Sequence, residues 1–163
     1  MKQMEVTKKE IGGKIFYIRP FPAFTAANIS GELASTLSPV IGGLAVLLDD
    51  DNKEKELSEI APTIMSAISG VSGDKIQHLM ERLLITYGNV SVSCEETGNA
   101  ITPLDEDLVN EIFCAEFQNM VMLCVEVVRL NFGGFFKKTA DQYGGLLGTM
   151  GQKMTSTDGA SST

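Results

Sequence analysis

Phe117-Gln118-Asn119-Met120-Val121-Met122-Leu123-Cys124-Val125-Glu126-Val127-Val128-Arg129-Leu130 is the stretch on which the fold turns. Its apolar residues cover most of the circumference of a helix, and such a helix is either buried or an interface element. Upstream, Leu108, Ile112 and Ala115 extend the helical spacing, so one helix is expected over 106–131. Thr102-Pro103-Leu104-Asp105 has the form of its start: Thr as N-cap, Pro in the first position and an acid to reach back. Asn131-Phe132-Gly133-Gly134 is expected to end it, leaving Phe135-Phe136 just beyond. These phenylalanines either plug the core at the helix end or form an exposed apolar patch.

Two β segments flank the helical pattern. Lys14-Ile15-Phe16-Tyr17-Ile18 is aromatic and β-branched, and Gly12-Gly13 before it supplies a turn to a partner strand through Met4 to Lys9. Pro20 and Pro22 end that hairpin, since proline has no N–H for a ladder. Val90 to Cys94 alternates as a half-buried strand should, and Glu95-Glu96-Thr97-Gly98-Asn99 turns the chain toward a return strand at Ala100-Ile101.

Between the hairpins the period is helical. Phe24, Ala27, Leu33, Leu37, Val40, Ile41 and Leu44 recur at spacings near three and four, with a kink expected near Pro39 and Gly42-Gly43. Asp49 to Glu56 is a solvated acidic loop, and Leu57 to Ser69 a short amphipathic helix. A further helix carries Ile76, Leu79, Met80, Leu83 and Leu84 on one face, with Asp74 as N-cap and Gly88 as the left-handed closing residue. The fold class is α+β, mainly α: a helical domain with an N-terminal β-hairpin and a second short hairpin near residues 90–101. The expected organisation is one domain over 1–148 and a flexible C-terminal tail over 149–163, where small polar residues bury too little to offset their ordering entropy.

Composition narrows the function. The 163 residues carry a formal charge of -8, and the basic residues form no stripe, which argues against nucleic acid and against anionic membranes. The longest apolar stretch, Leu37 to Leu48, is broken by Ser38, Pro39, Gly42 and Gly43 and is too short to span a bilayer. The start lacks a signal peptide's apolar run, so a cytosolic protein is expected. Three cysteines, Cys94, Cys114 and Cys124, have no CxxC spacing and imply neither disulfides nor zinc; Cys114 and Cys124 read as small helical hydrophobes.

Catalysis finds little footing. His78 is the single histidine, so any Ser-His-Asp or Cys-His arrangement must use it, and it reads instead as a surface or boundary residue. Asp49-Asp50-Asp51 lacks the spacing of a calcium loop, and the glycine pairs form no phosphate cradle. No catalytic, cofactor-binding or metal-binding residue is assigned, and the expectation is a non-enzymatic protein without cofactors.

Two stretches carry a family resemblance. One is Ile15-Phe16-Tyr17-Ile18-Arg19-Pro20-Phe21-Pro22-Ala23-Phe24 with the small-residue helix through Leu48. The other is Asn110-Glu111-Ile112-Phe113, the apolar helix into Val127-Val128-Arg129-Leu130-Asn131-Phe132, and Phe135-Phe136. Together they cover about half the chain and resemble the tail assembly chaperones of long-tailed phages and prophages of Gram-positive bacteria. That resemblance implies a factor in the host bacterial cytoplasm, absent from the mature virion, that binds the tape measure protein. It would keep this long apolar helical chain soluble while the tail tube assembles around it. A frameshifted longer form, where one exists, would recruit the tail tube protein, and polymerising along the client implies a homo-oligomer. The partner-binding surface is placed on the helices at 23–48 and 106–131, at Phe21, Phe24, Leu33, Leu37, Val40, Phe113, Phe117, Phe132, Phe135 and Phe136. The alternative is a structural virion component, a tail tube or head–tail joining protein.

Overall fold

The computed structural model describes residues 5–37, 62, 65, 66 and 69–134. The expected kink near Pro39, the acidic loop, most of the 57–69 helix, Val40, Phe135, Phe136 and the tail lie outside the described residues, as does the side chain of Leu37.

The chain opens with β1 (Thr7–Ile11) and β2 (Lys14–Ile18), paired antiparallel with Ile11 opposite Lys14. The first strand therefore starts and ends later than Met4 to Lys9. Gly12 and Gly13 form the two-residue turn at φ +58° and +74°. Both values fit the turn whose twist matches a hairpin, which L side chains resist. Gly12 has a second reason to be glycine: a Cβ there would lie 2.6 Å from Asn119 Nδ2.

β3 (Val90–Ser93) joins the other edge of β2, placing Phe16 opposite Val92 and Ile18 opposite Val90. β4 (Thr102–Pro103) completes an antiparallel sheet of order β1-β2-β3-β4. The two expected hairpins are thus halves of one sheet. The return strand is Thr102–Pro103, not Ala100-Ile101, and these residues do not start a helix. Pro103 sits on the sheet's last strand, where a missing N–H is tolerated. The cap is Asp105, whose Oδ1 accepts the Leu108 N–H at 2.8 Å.

One face of the sheet is sealed. Phe16, Ile18, Val90 and Val92 are fully buried, while Ile15, Tyr17, Ser91 and Ser93 on the opposite face are only half-buried. The sealed face and the helices share one core.

α1 (Ala23–Leu37) buries Ile29, Leu33 and Thr36, with Ala26 against the core. Phe24 and Ala27, expected on the same stripe, are exposed. At about 100° per residue, Phe24 lies roughly half a turn from Leu33, so both cannot face one core. α2 (Gly73–Leu84) buries Ile76, Leu79, Met80, Leu83 and Leu84, the face expected from the sequence. Its N-cap is Ser72, not Asp74, which falls in the first turn. Gly88 takes the left-handed conformation at φ +59°, but three residues beyond the C-cap Ile85.

The single helix expected over 106–131 is two. α3 (Glu106–Ile112) ends at Phe113, and α4 begins at 117 and continues through 134. Ala115 sits at φ +61°, and the carbonyl of Glu116 accepts the amides of Asn119 and Met120 as the new helix starts. Tertiary packing imposes this break: the Phe113 ring stacks on Phe16 of the sheet, centroids 5.8 Å apart. Cys114 consequently lies exposed in the break rather than in a buried helix.

In α4 the eight residues Val121 to Val128 are all buried, each large apolar side chain contributing ~1.5–3 kcal/mol. The helix follows β2 in direction. Its start meets the hairpin turn, where Lys14 Nζ lies 3.8 Å from Glu116 Oε2, and its end meets the residues after β2. There Asn131 Oδ1 accepts the Phe21 N–H at 2.7 Å while its Nδ2 donates to the Val127 carbonyl at 2.8 Å. With its side chain so engaged, Asn131 does not stop the helix, which runs on through Gly133 and Gly134. Glu126, the one acid in the buried run, meets Lys9 Nζ of β1 at 3.0 Å and Arg129 Nη1 at 3.1 Å.

The left-handed Ala115 makes a test of the break. A Cβ in that conformation costs about 1–2 kcal/mol, part of which glycine returns as chain entropy. Ala115→Gly should therefore raise the urea unfolding free energy by about 0.5–1 kcal/mol; a loss of similar size would contradict the left-handed placement.

Candidate partner-binding surface

Four side chains fix α2 against α1. Asn28 and Glu32 are one turn apart on α1, and His78 and Arg82 one turn apart on α2, so each pair shares a helix face. His78 Nδ1 lies 2.7 Å from Glu32 Oε1, Arg82 Nη1 donates to Glu32 Oε2, and Arg82 Nη2 donates to Asn28 Oδ1 at 2.6 Å and to the Tyr87 hydroxyl. The Tyr87 hydrogen bond, then that of Glu32, raises the Arg82 pKa further. Partial burial pushes the Glu32 carboxyl up, but the hydrogen bonds and charges of His78 and Arg82 outweigh it and hold the group below its usual range. His78, with a side chain 64% exposed, is a surface residue, within the surface-or-boundary placement expected from the sequence.

About half a turn around α2 from this cluster lies an apolar groove of about 500 Å³. Ile76, Met80 and Leu84 of α2 line one wall; Val109 of α3 and Phe117 and Met120 of α4 line the other. Its charged lining residues are Glu81 and Glu106. The break at 113–116 makes the second wall, because it turns α4 away from α3 and brings residues of both to the same cleft. Among the described residues, no group of three or more His, Cys, Asp or Glu could hold a metal ion.

The candidate residues divide by exposure. Phe24 is 93% exposed on α1, and Phe117 is 43% exposed in the groove wall. Phe21, Leu33, Phe113 and Phe132 are buried. Phe21 packs edge-on against Tyr87 at 5.7 Å, Phe113 stacks on Phe16, and Leu33 and Phe132 belong to the core. In the folded chain these four are structural, so of the candidates among the described residues Phe24 and Phe117 are the accessible ones. Phe24 is not among the groove's lining residues. Met80, Leu84, Val109 and Met120 form a surface that sequence reasoning misses. Their apolar spacing was visible, but a wall made by two helices meeting across a break has no local signature.

The family model described as phage tail assembly chaperone protein, TAC, matches residues 12–147. The chain belongs to that family. No curated protein and no solved structure matches it. The match spans every element from β2 to α4, so the groove, the α1–α2 cluster and both exposed phenylalanines lie within the part of the chain that defines this tail assembly chaperone. Among the chaperone's described residues, no helix is long and apolar enough to cross a membrane.

Because the Glu32 pKa is lower in the folded state, its stabilisation is present above the unfolded carboxylate pKa and is lost as pH falls through the folded one. The stability gap between wild type and Glu32→Gln should be widest near pH 7, about 1 kcal/mol or less for pairs that water still reaches, and should close toward pH 3. Urea midpoints measured across that range check this; a gap that widens on acidification would contradict it.

Proposed function

We propose that this tail assembly chaperone binds the tape measure protein, holds it soluble in the host cytoplasm and is released as the tail tube assembles around it. The observation that carries this reading is the pairing of family membership with exposed apolar surface. Phe24 and the Phe117-lined groove offer rings and aliphatic walls of the kind that take a helical client. Membership of a chaperone family supports an assembly factor over a tail tube or head–tail joining protein that stays in the particle. A single domain over 1–148 is in keeping with a match that runs from 12 to 147. A longer frameshifted form, where one exists, recruits tube subunits, and copies of the chain contact one another along the client.

The chain acts by binding rather than by catalysis. Its lone histidine engages Glu32, and burial pushes the Cys124 thiol up to about 12, which keeps that sulfur protonated and unreactive.

Co-expression with the tape measure protein tests the proposal. Wild type should raise the soluble fraction of the client severalfold. Phe24→Ser with Phe117→Ser should remove most of that gain while lowering unfolding free energy by about 1.5 kcal/mol or less, the share of the Phe117 ring that the groove wall covers. A client no more soluble with wild type than without it would overturn the reading.

A further inference from the structure

The groove is apolar along its floor and acidic at its rim. Ile76, Met80, Leu84, Val109 and Met120 supply aliphatic and thioether surface, and Phe117 stands partly exposed at its wall. The charged residues lining it are both acids, Glu81 on α2 and Glu106 at the start of α3. They stand on opposite walls, one carboxylate on each. Glu81 accepts a hydrogen bond from Gln77 Nε2 at 2.8 Å on the exposed side, and no ion pair of Glu81 or Glu106 is found among the described residues. The α2 base nearest in sequence, Arg82, points the other way and is engaged by Glu32, Asn28 and Tyr87.

We infer that the groove selects amphipathic helical segments whose apolar stripe is flanked by Lys or Arg, the stripe seating on the floor and the flanking cations meeting Glu81 and Glu106. This rests on the client-holding reading above and adds to it a chemical class of segment. Met80 and Met120 suit such selection, since unbranched thioethers adapt to differing apolar side chains. The stripe then supplies affinity common to many client segments, and the acids on either wall supply the preference among them. Charge at the rim also accelerates encounter with a cationic segment and makes binding sensitive to salt.

Fluorescence anisotropy on the full chain tests this with three labelled helical peptides sharing one apolar stripe and flanked by Lys/Arg, by Gln/Ser or by Glu. The basic peptide should bind most tightly, and raising salt should weaken it most. Glu81→Lys with Glu106→Lys should cost it about three- to tenfold in affinity, the range of two partly exposed ion pairs. A control of equal net charge, Glu10→Lys with Glu95→Lys at exposed positions outside the groove, should cost it less than twofold. Equal binding of all three peptides would overturn the charge selection and leave client binding standing. Equal losses in rim and control variants would overturn the groove as its seat. Binding of none of the peptides, with the tape measure protein still solubilised in co-expression, would overturn the groove as a helix receptor. Failure of both assays would overturn the client-holding reading itself.

Discussion

Eight consecutive buried residues on one helix, Val121 to Val128, set the terms for the remainder of the fold. A helix apolar nearly all round cannot be satisfied by one neighbour, so it must lie inside the molecule. The sheet seals one side with Phe16, Ile18, Val90 and Val92, and the same core takes in Ile29 and Leu33 of α1 and Leu79 and Leu83 of α2. Glu126 is the exception within the run. Placing a carboxylate there is tolerable because Lys9 and Arg129 meet it, and Lys9, 44% exposed, keeps its charge in contact with water. The pair also registers the helix against β1, which a purely apolar contact would do less specifically.

From that packing follow the features that bear on function. The Phe113 ring is drawn onto Phe16, the chain breaks at a left-handed Ala115, and α4 leaves at a new angle. The break converts what would be one long helix into two segments that together form the wall facing α2. On the far side of α2, the Glu32, His78, Arg82 and Asn28 cluster holds that helix to α1, so the groove's first wall has a fixed position. A cleft held open in this way is preorganised, and a client entering it loses less to ordering of the receptor.

Much of this was legible in the sequence and some was not, for identifiable reasons. The Gly12-Gly13 turn, the β2 and β3 segments, the buried face of α2 and the all-round burial of α4 each rest on local chemistry or a strict period. The pairing of β2 with β3 joins residues more than seventy positions apart and leaves no local trace. Thr102-Pro103 has the chemistry of a helix start, yet an edge strand accepts the same proline, and Asp105 makes the better cap. The break at Ala115 has no glycine or proline to announce it. Among candidate contact residues, aromatic character alone could not separate Phe24 and Phe117 from Phe21, Phe113 and Phe132. Only the packing decides which rings the core consumes.

On the proposed reading, a helical client sits in the groove beside Phe117 rather than on the sheet's open face. Site-specific photocross-linking tests it, with a photoreactive phenylalanine analogue placed in turn at position 117 and at position 17 of the full chain, co-expressed with the tape measure protein. A client adduct is expected from position 117 and little from position 17. An adduct from position 17 alone would contradict it.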